Sequence, residues 1–440
     1  MNQSSRLKKN QQVTLRDLRT VTVLDKLGEG GQGTVYRVRL NDTNKEKALK
    51  WFFIEKVRDP KEFYTNLKEN VENGSPSPAF IWPEELTEWQ NGTFGYIMEL
   101  FPPNHFEYSS YLRANTQFAS YEAMVNAAIN IVLAFKDLHN KGYNYQDLND
   151  GNFTIDPTSG DVRICDNDNV MGHGQTSGIL GKARYMAPEV VRGDKRPDKL
   201  TDRFSLAIIL FMLLVGDHPL EGKKTNVPAL TNKYDRRFFG FEPLFIFDEQ
   251  DDSNRPIEGL HRNAVALWDY YPSYIKKAFQ QSFSQESMLN SKNRLLEQVW
   301  LHLLIRLKSS IINCPYCQCE LFLQNEGETH CIECQQLILP AGYLCFEKKR
   351  ANIDIRIPIY RGIVLYDYHM TPSSEDFLTQ AGIILTKPGK IGLKNLTKEN
   401  WSLLTPDGKT RIRKPGEVTI LAKNIKIDFG NGNIASIQSD

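Results

Sequence analysis

The sequence predicts an α+β fold in a chain with several domains, and three observations support this prediction. At 440 residues, the chain is longer than one hydrophobic core usually supports. Strand-like and helix-like patterns both occur in the first 310 residues or so, and five of the seven cysteines follow within a short stretch. The remaining C-terminal part is rich in β-branched residues and turn signals, which indicates a small all-β domain.

Composition and charge are those of an ordinary globular protein. Apolar residues make up 40%, charged residues 24%, and the formal net charge is +1, so there is no electrostatic basis for binding nucleic acid. The longest apolar run, at 206–215, is too short to cross a membrane. The basic residues near the start have no apolar stretch behind them, so we expect no secretory signal and a flexible tail over 1–20. Closely spaced cysteines in a chain without such a signal indicate a reducing compartment, so we expect a cytoplasmic protein.

The elements of the first 310 residues can be predicted in order from periodicity and turn residues. The segment 21–55 alternates like a set of strands with turns between them, and Pro60 begins a helix-compatible stretch. Later segments are predicted as a strand at 94–100, an amphipathic helix at 120–139, a hairpin at 152–165 and a mainly helical region at 189–310.

The first segment that carries chemistry is Gly28-Glu-Gly30-Gly-Gln-Gly33. This pattern alone also fits a plain turn, but here both of its flanks resemble strands. A glycine-rich hairpin lets backbone N–H groups lie close over triphosphate oxygens. Lys50, fifteen residues after Val35, lies in a later strand from which it can reach phosphates held under such a hairpin.

Four further motifs follow in a fixed order. YQDLNDGN at 145–152 stands in the place of H-R-D-L-x-x-x-N, DND at 166–168 in that of D-F-G, and YMAPE at 185–189 in that of A-P-E, while Arg294 stands where an arginine pairs with the A-P-E glutamate. Together with GEGGQGTVYRV and KALK, these motifs resemble a eukaryotic-type protein kinase. The resemblance implies a bilobal protein-kinase fold with an N-lobe at 21–101 and a C-lobe at 102–310.

The same resemblance implies ATP and Mg²⁺ as cofactors and gives roles to individual residues. Lys50 would hold the α- and β-phosphates, Asp147 would accept the proton of a substrate hydroxyl, and Asn152 and Asp166 would bind Mg²⁺. The other positions expected around the nucleotide are Gly28, Gly30, Gly33, Val35, Ala48, Met98, Glu99 and Phe101.

Lys50 needs a carboxylate to fix its direction, and the family takes it from the helix after the lysine strand. Glu62 is our choice, because Tyr64, Leu67 and Val71 could form the packing face beside it; Glu69 is the alternative.

Within the family, FIWPEEL at 80–86, the strand GYIMEL and the D-x-D triplet are similar to bacterial kinases of tellurite-resistance-linked phosphorylation triads. This finer resemblance implies a von Willebrand-type protein and a metal-dependent phosphatase as partners, in addition to a protein substrate.

Several positions depart from the family pattern. Gln146 replaces an arginine that grips a phosphate on the activation segment, which predicts activity without phosphorylation of Thr176 or Ser177. Asn149 replaces the lysine that is usual in serine/threonine kinases, so serine/threonine specificity follows from the overall resemblance. Asn167 and Asp168 replace the phenylalanine and glycine of D-F-G, and none of these replacements is expected to hold ATP or metal.

These departures keep an alternative open, a pseudokinase that serves as a scaffold or binding module. Lys50, Asp147, Asn152 and Asp166 are all retained together with the three loop glycines, which favours an active enzyme. Phosphorylation of a small molecule is a third and weaker interpretation, because the A-P-E segment is typical of protein kinases.

The cysteines form two C-x-x-C pairs separated by 13 residues, namely Cys314, Cys317, Cys331 and Cys334. Four thiolates at this spacing can surround one tetrahedral ion, so 311–350 resembles a zinc ribbon with structural Zn²⁺. An iron–sulfur cluster is the alternative metal group, and Cys319, His330 and Cys345 are spare ligands.

The segment 351–440 is predicted as a separate β-rich domain, with strands at 360–368, 381–385 and 418–427. Its final part faintly resembles the closing strands of a phosphopeptide-binding β-sandwich, but it lacks an arginine–serine pair placed to hold a phosphate. Recruitment of a partner, or docking on the first domain, is the expected role.

Overall fold

The computed structural model describes residues 6–57, 59–90, 92–172, 181–229, 231–324, 328–350, 354–430 and 432–438 of the chain. Within these ranges, the chain forms two lobes, a short cysteine-rich segment and a C-terminal β domain.

The N-terminal lobe is one antiparallel sheet with a single long helix. The sheet has the order β1-β2-β3-β4-β6-β5. The helix begins after Asp59, whose carboxylate accepts hydrogen bonds from two backbone N–H groups, and it ends at Gly74. The bounds are β1 (Gln12–Thr14), β2 (Thr20–Glu29), β3 (Gly33–Leu40), β4 (Glu46–Phe52), α1 (Pro60–Asn73), β5 (Glu85–Leu86) and β6 (Gly95–Met98).

The prediction of a flexible tail over 1–20 is wrong for the described residues. Strand β1 pairs with β2, with Val13 opposite Val21, and Val13 and Leu15 are completely buried. The alternating apolar side chains of this segment cover the sheet edge, and their burial from water holds it in place.

The C-terminal lobe is mainly helical and surrounds the strongly apolar helix α5. Asp198 caps the start of this helix with a capping box, and Gly216 ends it in the left-handed conformation. The bounds are β7 (Phe106–Glu107), α2 (Tyr108–Leu112), α3 (Tyr121–Asn140), β8 (Tyr143–Asn144), β9 (Phe153–Ile155), β10 (Val162–Ile164), β11 (Met171–Gly172), α4 (Pro188–Arg192), α5 (Lys199–Val215), α6 (Asn232–Asp235), α7 (Arg262–Leu267), α8 (Ser273–Ser282), α9 (Gln285–Leu289) and α10 (Glu297–Lys308).

The cysteine-rich segment consists of two short hairpins. Strand β12 (Ile311–Asn313) pairs with β13 (Glu320–Phe322), and β14 (Thr329–His330) pairs with β15 (Leu337–Ile338).

The all-β prediction for the C-terminal domain is confirmed, but its boundary differs. Strand β16 lies before residue 350 and pairs with both β17 and β25, so the domain begins earlier than predicted. Two antiparallel sheets, β17-β16-β25-β24-β21-β22 and β18-β19-β20-β23, share one apolar core. The bounds are β16 (Tyr343–Phe346), β17 (Arg356–Pro358), β18 (Val364–Tyr366), α11 (Asp367–Met370), β19 (Gln380–Lys387), β20 (Lys390–Asn395), β21 (Trp401–Leu404), β22 (Thr410–Arg413), β23 (Val418–Ile420), β24 (Lys426–Asp428) and β25 (Ile434–Gln438).

Both C-terminal parts pack on the helical lobe. Phe322 of β13 stacks on Tyr121 and Tyr271, with ring centroids 5.0 and 5.3 Å apart. The Lys308 ammonium of α10 lies 3.9 Å from the ring centroid of Tyr366 in β18. These contacts reach the start of α3 and the end of α10, so the added domains are part of one packed structure.

Among the residues that the structure describes, no helix combines the length and the apolarity needed for a membrane crossing.

Candidate active site

One face of the N-lobe sheet carries four of the side chains that were predicted to surround a nucleotide, those of Val35, Ala48, Lys50 and Met98. Val35 pairs with Lys50 and Lys50 with Tyr96, while Ala48 pairs with Met98 on the same two strands. Because alternate residues of a strand share a face, these five side chains line one surface of the sheet. The other four side chains form a mainly apolar surface, and the buried ammonium group of Lys50 lies beside it.

The glycine-rich turn closes this surface at one end. At Gly33, a Cβ atom would lie 2.4 Å from the carbonyl oxygen of Trp51, so only glycine fits there. Gly28 and Gly30 have no atom within 4 Å of the place of a Cβ, and they leave room beside the hairpin. The turn is closed by the Gly30 N–H, which donates to the Gly33 carbonyl at 2.9 Å.

Asp147 lies in the loop after β8, where two amide side chains hold it. Asn152 Nδ2 donates to the Asp147 backbone carbonyl at 2.7 Å, and Asn149 Nδ2 donates to its carboxylate at 3.1 Å. Burial raises the pKa of Asp147 to about 6, against the hydrogen bond from Asn149, which lowers it. A carboxylate with this pKa is mostly ionised at neutral pH and is more basic than a free aspartate.

The helical lobe anchors the loop that carries Asp147. The backbone N–H of Tyr145 donates to Asp202 of α5 at 2.7 Å, and His139 bridges Asp202 and Glu297 at 3.1 and 2.8 Å. Burial alone would lower the pKa of His139, but the hydrogen bonds with Asp202 and Glu297 raise it to about 9, so the imidazolium is stabilised between two carboxylates.

Asp166 follows strand β10 directly beside the Asp147 loop. The N–H of Cys165 donates to the Asn152 carbonyl at 2.9 Å, which fixes the start of the D-x-D triplet next to that loop. Asp166 and Gln146 both adopt left-handed backbone conformations, with φ of 55° and 65°. Such conformations cost energy for residues other than glycine and are concentrated at functional sites. Asp168, which replaces the family glycine, does not need a positive φ.

Lys50 is held by both carboxylates of this triplet. Its Nζ lies 3.1 Å from Asp166 Oδ1 and 2.8 Å from Asp168 Oδ1, and Tyr96 Oη donates to the same oxygen of Asp168 at 3.1 Å. Burial by itself would lower the pKa of Lys50, but the charges of Asp168 and Asp166 raise it above its ordinary value. Burial and the Asp168 charge raise the pKa of Tyr96, which therefore remains a neutral donor.

The structure does not place Glu62 in its predicted role. Glu62 and its alternative, Glu69, are exposed on α1, and the described ion pairs of Lys50 are those with Asp166 and Asp168. The face of α1 turned to the rest of the lobe carries Phe63, Leu67 and Asn70 instead. Apolar packing determined the rotation of the helix and turned its carboxylates toward water.

The other predicted positions are found as follows. The four polar side chains of Lys50, Asp147, Asn152 and Asp166 lie together between the two lobes. Beyond β6, Glu99 pairs with Lys47 at the surface and Phe101 is exposed, so only their backbone could face a bound base. Thr176 and Ser177 lie outside the described residues.

One structural pair from the sequence analysis is confirmed. The Arg294 guanidinium binds Glu189 with two hydrogen bonds of 2.8 and 2.7 Å, in a well-buried bidentate geometry. This pair ties α4 to the segment before α10.

The predicted cysteine cluster is present. The sulfur atoms of Cys314, Cys317, Cys331 and Cys334 all lie within 4.8 Å of one another. The Sγ–Sγ distances are 3.6 Å for Cys314–Cys334 and 3.5 Å for Cys317–Cys331, against an edge of about 3.8 Å for a tetrahedron of thiolates around zinc. Cys319 lies beside the cluster, with its sulfur 3.2 Å from that of Cys331.

The two cysteine turns have the same backbone hydrogen bonds, which supports a shared metal. In the first, the N–H of Cys314 donates to Cys319 and that of Gln318 to Cys314; in the second, Cys331 donates to Gln336 and Gln335 to Cys331. Gln318 and Gln335 both have positive φ. Cys319 thus corresponds to Gln336 and stands outside the repeated ligand pattern.

Two residues of the site, Asp168 and Tyr96, are not among those that the sequence predicts to act there. The signal for Asp168 is the second carboxylate of the D-x-D triplet, although the family pattern indicates only a replaced glycine at this position. Tyr96 lies in a buried strand, and nothing local distinguishes it from other core residues.

Comparison with known proteins identifies the relatives of this region. The protein kinase domain family matches residues 21–267. The chain is 28% identical over 237 residues to G protein-coupled receptor kinase 2 of Caenorhabditis elegans, covering 50% of this chain and 31% of that protein. It is 28% identical over 209 residues to the serine/threonine-protein kinase AtPK2/AtPK19 of Arabidopsis thaliana, covering 47% and 43%. It is 30% identical over 216 residues to beta-adrenergic receptor kinase 1 of Homo sapiens, covering 45% and 29%. The chain thus spans less than half the length of these relatives.

Proposed function

Because this chain belongs to the protein kinase family, we propose that it transfers the γ-phosphate of ATP to serine or threonine hydroxyls of a protein substrate. The observation that carries the proposal is that Lys50, Asp147, Asn152 and Asp166 lie together between the two lobes, next to the strand that leaves the glycine hairpin. The relatives that are named serine/threonine-protein kinases support the choice of hydroxyl.

In the proposed step, the oxygen of the substrate hydroxyl forms a bond to the γ-phosphorus. The bond between that phosphorus and the β–γ bridging oxygen breaks, and ADP leaves with the electron pair. The hydroxyl proton passes to the Asp147 carboxylate, whose pKa of about 6 suits this transfer near neutral pH. Lys50 would neutralise phosphate charge, and the N–H groups of the glycine hairpin would cover the phosphates.

The donor set beside Lys50 fits magnesium. Asp166 keeps 49% of its side chain exposed, and the backbone of Asn152 is bonded to that of Cys165, so a carboxylate and a side-chain amide lie on neighbouring segments. Mg²⁺ prefers such oxygen ligands and keeps part of its hydration shell. When bound, the ion would neutralise charge on the transferred phosphoryl group.

The test is transfer of labelled phosphate by the full chain with ATP and Mg²⁺, compared with Asp147→Asn. Asp150→Asn is the matched control, because Asp150 belongs to the same loop and pairs with Lys182 at the surface. We expect loss of transfer by a factor on the order of 10² or more in Asp147→Asn and activity within a few-fold of the original protein in Asp150→Asn. A chain that binds ATP and transfers nothing would refute the proposal and leave the pseudokinase alternative.

We also propose that Cys314, Cys317, Cys331 and Cys334 hold a structural Zn²⁺ ion, since four thiolates leave no coordination position for catalysis. Metal content by mass spectrometry of the purified chain tests this. One zinc per chain is expected in the original protein and in Cys319→Ser, and none in Cys331→Ser. Equal metal loss in both variants would assign the site to a different ligand set, and iron in place of zinc would favour a cluster.

A narrower proposal concerns biological setting. The motifs FIWPEEL, GYIMEL and D-x-D support a cytoplasmic kinase of bacterial signalling, with a von Willebrand-type protein and a metal-dependent phosphatase as partners. The C-terminal β domain is the proposed recruitment surface. If neither kind of protein bound the full chain or was phosphorylated by it, this assignment would be refuted, while kinase activity itself would stand or fall by the transfer assay.

A further inference from the structure

The most unusual contact of the site is the one that fixes the lysine. In the family pattern, a glutamate on the N-lobe helix orients this lysine, and the movement of that helix controls activity. Here the glutamates considered for that role, Glu62 and Glu69, are exposed. The inner polar residues of α1 are amides: Asn70 donates to the Val170 carbonyl at 3.2 Å, and Asn66 contacts the sulfur of Met171.

We infer that Asp168 positions Lys50 in place of a glutamate on α1. This inference rests on the proposed function, because it concerns how the same site holds ATP. Asp168 is a positioning residue, since it acts through Lys50 and does not itself reach the nucleotide.

Burial separates the roles of the two carboxylates that bind Lys50. The Asp168 side chain is 0% exposed and that of Lys50 is 7% exposed, whereas that of Asp166 is 49% exposed. Asp166 is therefore open to a metal ion and can exchange its bond with Lys50 for one with the metal. Asp168 is buried against Lys50 and Tyr96, and it keeps its hydrogen bonds with both when a nucleotide and a metal ion are bound.

The backbone around Asp168 is held firmly enough for this task. Asp168 lies in the 3₁₀ turn Asn167–Asn169, and the buried Asn167 side chain donates to the carbonyls of Ile81 and Ile164 at 2.7 and 2.9 Å. These bonds tie the turn to strand β10 and to the segment before β5. The replacement of phenylalanine by asparagine thus supplies polar anchors for the residue that holds the lysine.

The consequence is a lysine whose direction does not depend on the position of α1. Asp166 and Asp168 belong to one short turn, so the metal-binding carboxylate and the lysine partner are set by the same element. A movement of α1 that would break the ion pair in the family pattern leaves this pair intact.

The test is ATP binding and steady-state kinetics of the full chain with Asp168→Asn. The substitution keeps the shape and removes the charge. We expect roughly tenfold weaker binding of a fluorescent ATP analogue. We also expect kcat/KM for ATP to fall by a factor on the order of 10² while KM for the protein substrate stays unchanged. A merely structural role would give a partly unfolded sample, with lower kcat and an unchanged KM for ATP.

Glu62→Gln and Glu69→Gln test the rival assignment directly, and both should bind ATP within about twofold of the original protein, as expected of exposed groups. Weakened ATP binding in either variant, or unchanged binding in Asp168→Asn, would overturn the inference. If Asp168→Asn does not fold, the two helix variants still decide. Binding is read without transfer, so a chain that binds ATP but phosphorylates nothing would refute the proposed function alone.

Discussion

The buried pair of Lys50 and Asp168 should make a measurable contribution to stability that depends on both partners. Lys50→Met would leave the Asp168 carboxylate buried with only the Tyr96 hydroxyl as a described donor to its Oδ1 atom. Removing one partner of a buried ion pair costs about 3–5 kcal/mol, because the remaining charge is uncompensated. For a domain of this size, each kcal/mol lowers the melting temperature by roughly 2 °C, so a decrease of roughly 6–10 °C is expected.

Scanning calorimetry or fluorimetry of four proteins would test this cycle: the original chain, Lys50→Met, Asp168→Asn and the double variant. The double variant should be more stable than Lys50→Met, because it leaves no buried charge behind. Lys47→Met is the matched control on the same strand, since Lys47 pairs with the more exposed Glu84 and Glu99 and should cost at most about 1 kcal/mol. Additive losses in the double variant would refute the buried-charge argument.

Three further predictions follow from other contacts. Since proton transfer needs the ionised carboxylate and burial raises the pKa of Asp147 to about 6, kcat/KM should fall about tenfold per unit below pH 6. Asn149→Ala removes a hydrogen bond that lowers the pKa of Asp147, so the acid side of the curve of kcat/KM against pH should move to higher pH. If it does not move, the pH dependence belongs to another group. Burial lowers the pKa of His139, but its carboxylate partners raise the pKa to about 9. The stability that the protonated imidazole contributes is therefore complete below pH 6.5 and should decline by about 3 kcal/mol as the pH rises to 9. Urea unfolding that depends equally on pH in His139→Gln and in the original protein would contradict this. Phe322→Ala removes a ring that lies between two aromatic rings and should lower the stability of the helical lobe by about 3–5 kcal/mol, measured by calorimetry. Leu337→Ala is the control, because Leu337 is exposed. Equal melting temperatures of Phe322→Ala and the original protein would show that the cysteine segment does not support the lobe.

The sequence by itself determined the elements and the spacing of the chemical groups. Alternation and turn residues located the hairpin β2–β3, the lysine strand and the hairpin β9–β10, because these depend on local periodicity. The positions of Asp147, Asn152 and Asp166 followed from the order of motifs along the chain. The paired C-x-x-C turns located the thiol cluster, since two intervening residues are enough to bring two sulfurs together.

The tertiary structure alone decided which group faces which. Helix α1 carries several carboxylates, and only its packing through Phe63 and Leu67 showed that Glu62 is exposed to water. The fully buried carboxylate that binds the lysine is that of Asp168, which is 118 positions away in sequence. The edge strand at Gln12–Thr14 and the place of β16 in the C-terminal sheet also depend on distant partners. Burial against distant surfaces sets the rotation of a helix and the pairing of a strand, and local sequence does not contain those surfaces.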